Sequence, residues 1–347
     1  MTHAHKIAVC FLGALWLCFV ATWLQWGQSN GVDERRNLAP MPRVDRTFPE
    51  GLGLYLRDHF GFRGWLIEIN ALVRVKVLRT STSPEVILGN EGFLFFAGEG
   101  TLENYTGSQP MTDAELAAWV ALFERRASWL RSQGIPCVVV VAPNKESVYP
   151  EMIPGSIVRG AGRSRLDRVM EALRQRAIPV IDPRTTLVSK KPEHRMYYMT
   201  DTHWSEWGAY WAYREILPSI NNGEPVDCNQ GTAAKTFDLT RMLGLNSRET
   251  IETCEPVRQG QVTGAQDDPL MTSESNAGPR LVFFRDSFGA ALMPFLSSHF
   301  SRIYAPNGWT FDRAPVQKEH PDVVLLEIVE RRFNQAPPID PQNGPSN

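Results

Sequence analysis

A chain of 347 residues, 43% hydrophobic and 21% charged, has room for two domains, or for one large domain with appendages, around a sizeable core. Its 36 Lys and Arg against 38 Asp and Glu leave a net charge of -2, which removes any compositional case for a nucleic-acid binder. Five cysteines without a CxxC pair exclude a disulfide scaffold and suggest no structural zinc site.

The first element is residues 7–26, a run without a formal charge. At 1.5 Å per residue it spans about 30 Å, the thickness of a hydrocarbon core, with Trp23 and Trp26 at its far interface. Residues 1–26 are therefore expected to form a transmembrane signal anchor; a cleaved signal peptide is the alternative. Orientation stays open at this point. Arg35, Arg36, Arg43 and Arg46 after the span would keep the large domain inside. A Cys228–Cys254 disulfide, if formed, favours the opposite side. Residues 27–49 read as a polar tether, and 335–347, with four prolines, as a disordered tail.

Residues 52–78 are apolar at helical spacing and rich in Arg, which suggests helices near the membrane. Residues 86–96 (VILGNEGFLFF) resemble a hairpin turning at 90–92. Thr112 and Glu115 form a capping box for a helix to about residue 132, which Gly134 stops. The run 138–141 (VVVV) follows as a buried strand. The alternation continues with helices at 164–177, 206–220 and 288–296, and strands at 179–182, 281–284, 302–305 and 323–329. Such alternation predicts an α/β fold, a parallel sheet flanked by helices, over residues 50–334. Residues 228–277 turn polar and are expected to be a loop-rich insertion.

Ligand sites in such sheets lie beyond the carboxyl ends of the strands, so the residues that follow each strand carry the argument. Arg285-Asp286-Ser287-Phe288-Gly289 follows one. Ser287 between a strand and a helix start can expose a nucleophilic hydroxyl, with its own N–H as an oxyanion donor; equally, Asp286 or Ser287 caps the helix. In Thr200-Asp201-Thr202-His203, Asp201 and His203 project to the same side of an extended segment. That is the base and orienter half of a Ser-His-Asp triad. Metal ligation is the rival use, but no further histidine or cysteine completes a ligand set, and no metal is expected. Asn144 and Lys145, after VVVV, could serve an oxyanion and an anionic group, or be ordinary loop residues. Glu327, inside an apolar strand, is either the buried partner of a nearby Arg, which is the expectation, or a site residue.

Five blocks in order carry a resemblance: DHFGFR (58–63), VILGNEGFLFF (86–96), VAPNKESVYPE (141–151), DTHWSEWGAYWAY (201–213) and FFRDSFG (283–289). Together they resemble the AlgJ/AlgX family of periplasmic polysaccharide O-acetyltransferases, which carry an SGNH-hydrolase-like domain. The resemblance runs from about residue 49 to 332. It implies catalytic Asp201, His203 and Ser287 and no cofactor; Arg285, beside the serine, joins Asn144 and Lys145 as a candidate oxyanion or substrate residue on the strand-end reading alone. It implies acetyl transfer through a serine acyl-enzyme onto hydroxyls of an exported bacterial polysaccharide such as alginate. It further implies a single-pass inner-membrane anchor with the domain in the periplasm. A membrane-bound O-acyltransferase is the expected acetyl donor, within an exopolysaccharide synthesis and secretion complex. A carbohydrate acetylesterase with the same triad and a non-catalytic subunit of such a complex are the alternatives. No carbohydrate-binding module is expected after the last strand, which leaves polymer binding to the catalytic face.

Overall fold

The computed structural model describes residues 2–24, 26, 37–275 and 278–341. Parts of the tether (27–36), the insertion (276–277) and the tail (342–347) therefore lie outside the described residues. The chain divides into two compact units, Met1–Leu88 with Thr236–Arg248, and Gly89–Lys235 with Glu249–Asn347.

In the first unit, α1 (His3–Trp23) carries the uncharged run and is long and apolar enough to cross a membrane. Helix α2 (Phe48–His59) starts with Pro49 in its first turn, where a missing N–H costs nothing. Helix α3 (Arg63–Leu72) follows and relaxes into a π-helical turn, Val73–Val77. The strand β1 (Val86–Leu88) ends the first stretch, and a short helix, Asp238–Met242, belongs to the same unit.

The second unit opens with a 3-10 turn at Asn90–Gly92 and β2 (Leu94–Phe96). Thr112 and Glu115 form the reciprocal capping box of α4 (Asp113–Ser132), and Gly134 leaves the helix at φ +71°. After β3 (Cys137–Ala142), a second box, Ser164 with Asp167, starts α5 (Arg165–Gln175). The chain continues through β4 (Val180–Ile181) and α6 (Glu206–Ile220), whose N-cap is Ser205. Next come β5 (Cys228–Lys235), β6 (Glu249–Pro256), β7 (Gln261–Thr263), β8 (Leu270–Glu274) and β9 (Arg280–Phe284). The last elements are β10 (Arg302–Pro306), α7 (Arg313–Glu319) and β11 (Val323–Val329).

Among the described residues the central sheet runs β4-β3-β11-β9-β10-β8-β7. Its first five strands are parallel, while β8 and β7 join antiparallel at one edge. All seven residues of β11 are buried, as a strand covered on both faces requires. On one face Val139, Val282, Val324 and Leu326 pack with Trp119 and Phe123 of α4 and Val169 of α5. On the other, α6 packs against β3. This is the α/β fold with a helix-flanked sheet that the alternation predicts.

Three expectations change. Residues 228–277 are not chiefly loop: they supply the paired strands β5 and β6, plus β7 and β8 at the sheet edge. Polarity misled because both strands of the β5–β6 pair keep many side chains exposed. The expected helix 288–296 splits into a 3-10 turn, Gly289–Leu292, and one α-turn, Met293–Leu296 with Pro294 inside it. The described start of the tail is held in place. The Asp340 carboxylate accepts from Arg126 Nε at 2.9 Å and from Phe311 N at 2.8 Å, while Gln335 O accepts from Trp119 Nε1.

Candidate active site

The parallel strands bring their carboxyl ends to one rim of the sheet, and the candidate residues gather there. Asp201 and His203 sit in a loop closed by a bridge between Tyr197 and Trp204. Buried Glu249 fixes that loop, accepting from Met199 N at 2.8 Å and from Thr200 N at 2.9 Å. Trp204 then donates its indole N–H to Phe288 O at 3.0 Å, which ties the loop to the turn after β9.

Across that junction three side chains align. Asp201 Oδ1 lies 2.5 Å from His203 Nδ1 and also accepts from the His203 N–H at 2.8 Å. His203 Nε2 lies 2.8 Å from Ser287 Oγ. Burial would push the Asp201 carboxyl up, but its hydrogen bond and proximity to His203, with the Lys145 charge, hold it below the usual carboxylate range. An ionised Asp201 fixes the imidazole with its proton on Nδ1, leaving Nε2 free to take the serine proton.

The turn that presents Ser287 is over-determined. Asp286 accepts from Phe288 N at 2.8 Å, Val329 N at 2.9 Å and Trp309 Nε1 at 3.2 Å. Asp286 therefore braces the turn, while the Ser287 hydroxyl faces the imidazole. Glu327 differs from expectation. Its Oε2 accepts from Asp286 N at 2.9 Å rather than from an arginine. Burial, and then the Asp286 charge, push its carboxyl well up, while the nearby Arg285 charge works the other way. Only glycine fits at 289, where a Cβ would stand 2.6 Å from Arg285 Cβ and 2.8 Å from Glu327 Oε2.

The three accessory candidates take structural places. Arg285 is fully buried and donates to Gln266 O at 2.8 Å and to Asp268 O at 3.1 Å. It grips the 266–268 loop instead of facing an oxyanion. Lys145 is buried and donates to Leu94 O at 2.7 Å and Met199 O at 3.1 Å, which accounts for two of its three protons. Asn144 receives Arg331 N on Oδ1 at 3.2 Å, and its buried Nδ2 finds no partner among the described residues. It lines a small crevice with Lys145, Thr202 and Arg331.

Two residues that the sequence reading missed stand beside the site. Gln266 Nε2 lies 3.1 Å from His203 Nε2. The guanidinium of Arg331 lies 5.3 Å from the centre of the Phe288 ring, and that ring is 4.7 Å from His203. Arg331 follows β11, so the strand-end rule could have found it; Gln266, in an irregular loop, has no such signal. A separate cavity of about 190 Å³ lies over Glu146 and Glu330. Burial, and then the Glu330 charge, push the Glu146 carboxyl up to about 8.

Comparison with known proteins agrees with this architecture. The family described as the SGNH hydrolase-like domain of acetyltransferase AlgX matches residues 86–302. The O-acetyltransferase domain of Pseudomonas putida AlgJ is similar in structure, with a TM-score of 0.52 at 22% identity over 75% of this chain and 96% of its own. Bacillus cereus PatB1 bearing a sulfonyl adduct gives 0.53 at 13% identity, over 72% of this chain and 97% of its own. A DHHW family protein from Eubacterium siraeum gives 0.52 at 18% identity, over 73% and 96%. At these identities the likenesses speak for the fold. No curated protein matches the chain in sequence.

Proposed function

The chain belongs to the family of the SGNH hydrolase-like domain of acetyltransferase AlgX, and from that premise we propose that it is a polysaccharide O-acetyltransferase with Ser287 as nucleophile. The observation that carries the reading is the unbroken line Asp201–His203–Ser287 at 2.5 and 2.8 Å. His203 Nε2 takes the Ser287 proton as Oγ attacks the acetyl carbonyl, then returns it to the departing donor oxygen. Acetyl-Ser287 forms. A sugar hydroxyl gives its proton to His203 and attacks the ester, which passes acetyl to the sugar and restores the serine. No cofactor is needed for either step.

Arg331, held by Glu99 Oε2 at 3.0 Å, stands at the rim along which a polymer such as alginate would pass. Helix α1 serves as an inner-membrane anchor, with the domain in the periplasm; the Cys228–Cys254 disulfide suits an oxidising compartment. A membrane-bound O-acyltransferase in an exopolysaccharide complex would present the acetyl group.

The test uses the full chain in detergent with an activated acetyl ester, with and without oligosaccharides. Acetyl on Ser287 by mass spectrometry, and acetyl on sugar that is absent in Ser287→Ala, are expected. Free acetate with no transfer to any sugar makes the protein an esterase. An unaltered rate in Ser287→Ala removes the triad altogether.

A further inference from the structure

Helix α3 is apolar on two sides, and among the described residues only one of them is packed. Ile67 and Ala71 face Gly244, where an added Cβ would come within 3.2 Å of Ile67 Cγ2. The other side carries Trp65, Leu66, Ile69, Leu72 and Val73, each between 40 and 59% exposed. Their spacing of one, three and four residues places them on one continuous face. Isolated exposed apolar residues need no explanation, but a contiguous stripe of large ones marks an interaction surface.

What covers that face follows from where α3 begins. The turn between α2 and α3 is seated on the last turn of α1. Gly61 N donates to Thr22 Oγ1 at 2.9 Å, and Phe62 N donates to Trp26 O at 2.9 Å. The approach is so close that a Cβ at Gly61 would stand 2.5 Å from the backbone of Ala21 and Thr22. Phe62, at φ +67°, turns the chain directly into α3. The apolar stripe thus starts where the apolar surface of α1 stops. Trp23 and Trp26, at the end of α1, and Trp65, in the first turn of α3, are all exposed. Tryptophan concentrates at the level of lipid headgroups, where an apolar ring and a polar N–H are both served. Arg57, Lys76 and Arg79, exposed on the same stretch, can keep their charges among headgroups while their stems lie on apolar surface.

We propose that α3 with its π-helical turn is an interfacial helix, lying in the headgroup region of the bilayer that α1 crosses, with anionic lipid favoured by its basic residues. The proposal rests on α1 being a membrane anchor. It adds a second membrane contact that fixes the first unit against the bilayer instead of leaving it on a free stalk.

The experiment uses the full chain, with Cys10, Cys18 and Cys137 replaced by serine, in vesicles of phosphatidylcholine and phosphatidylglycerol. Nitroxide labels are introduced by Leu66→Cys, Ile69→Cys or Val73→Cys, and their depth is read by power saturation with oxygen and a water-soluble nickel chelate. Because these positions are exposed, the labels leave the packing unaltered. Depths of about 5–10 Å below the phosphates are expected, since that is how far interfacial helices sink. Labels in water, on a chain that resists carbonate extraction, overturn the interfacial helix and leave the anchor standing. A chain washed off by carbonate overturns the anchor, and the interfacial helix with it. Both results are independent of the acetyl-transfer assay.

Discussion

Ser287 O–H and the Gln266 amide compete for one lone pair, since both lie within 3.1 Å of His203 Nε2. An amide oxygen at that place would face the lone pair, so the nitrogen is the end that fits. When Nε2 takes the serine proton it can no longer accept, and the Gln266 N–H becomes available to a substrate oxygen. Gln266→Ala is therefore expected to lower kcat for an activated ester by about 10²-fold, the usual cost of losing an oxyanion donor, with KM nearly unchanged. A rise in KM alone would mean that Gln266 binds substrate instead. This scale also shows what a sequence can reveal. Asp201 and His203 are two residues apart, near enough for the sequence to suggest the pair, although the structure joins them in a bend closed by His203 N on Asp201 Oδ1 and not in an extended segment. Arg285 stands two residues from Ser287 yet works through Gln266 O and Asp268 O, contacts made only when a loop 17 to 19 residues earlier folds over it.

Between β9 and the 3-10 turn that follows, position 289 has no spare space. A methyl group there would press on Arg285 Cβ, Glu327 Oε2 and the Phe283 ring, each within 2.8 Å of the added carbon. Gly289→Ala is expected to destabilise the fold by about 1–3 kcal/mol, the usual range for overpacking. It should also lower kcat, because the same turn carries Ser287. Urea unfolding alongside the ester assay checks both; full stability with full activity would mean that the turn yields. The strands of the parallel core are legible because runs such as VVVV and VVLLEIV are buried on both faces and read as continuous apolar stretches. The β5–β6 pair escaped notice for the opposite reason. No residue of β5 is buried, so it has no apolar face to read, and its cross-link to β6, Cys228 to Cys254, is not a local pattern.

The rim that holds the site also holds three buried carboxyls, Glu146, Glu327 and Glu330, all pushed upward chiefly by burial. Each holds its proton to a higher pH in the folded state than in the unfolded chain, where the ordinary value is near 4.5. For such a group the stabilising difference is complete below that value and is lost as pH rises through the folded value. For Glu146 the window is from about 4.5 to about 8. Through this group the molecule should therefore be less stable at pH 8.5 than at pH 5.5. Glu146→Gln keeps the shape of the neutral acid and has no proton to lose. Its lead over the parent should therefore widen between pH 5.5 and pH 8.5, by about 3 kcal/mol at roughly 1.4 kcal/mol per pH unit of the window above 5.5. Chemical denaturation at the two pH values measures this directly. If the variant and parent fall together, Glu146 is already ionised at pH 5.5, and the cavity above it holds a charge that some cation must balance.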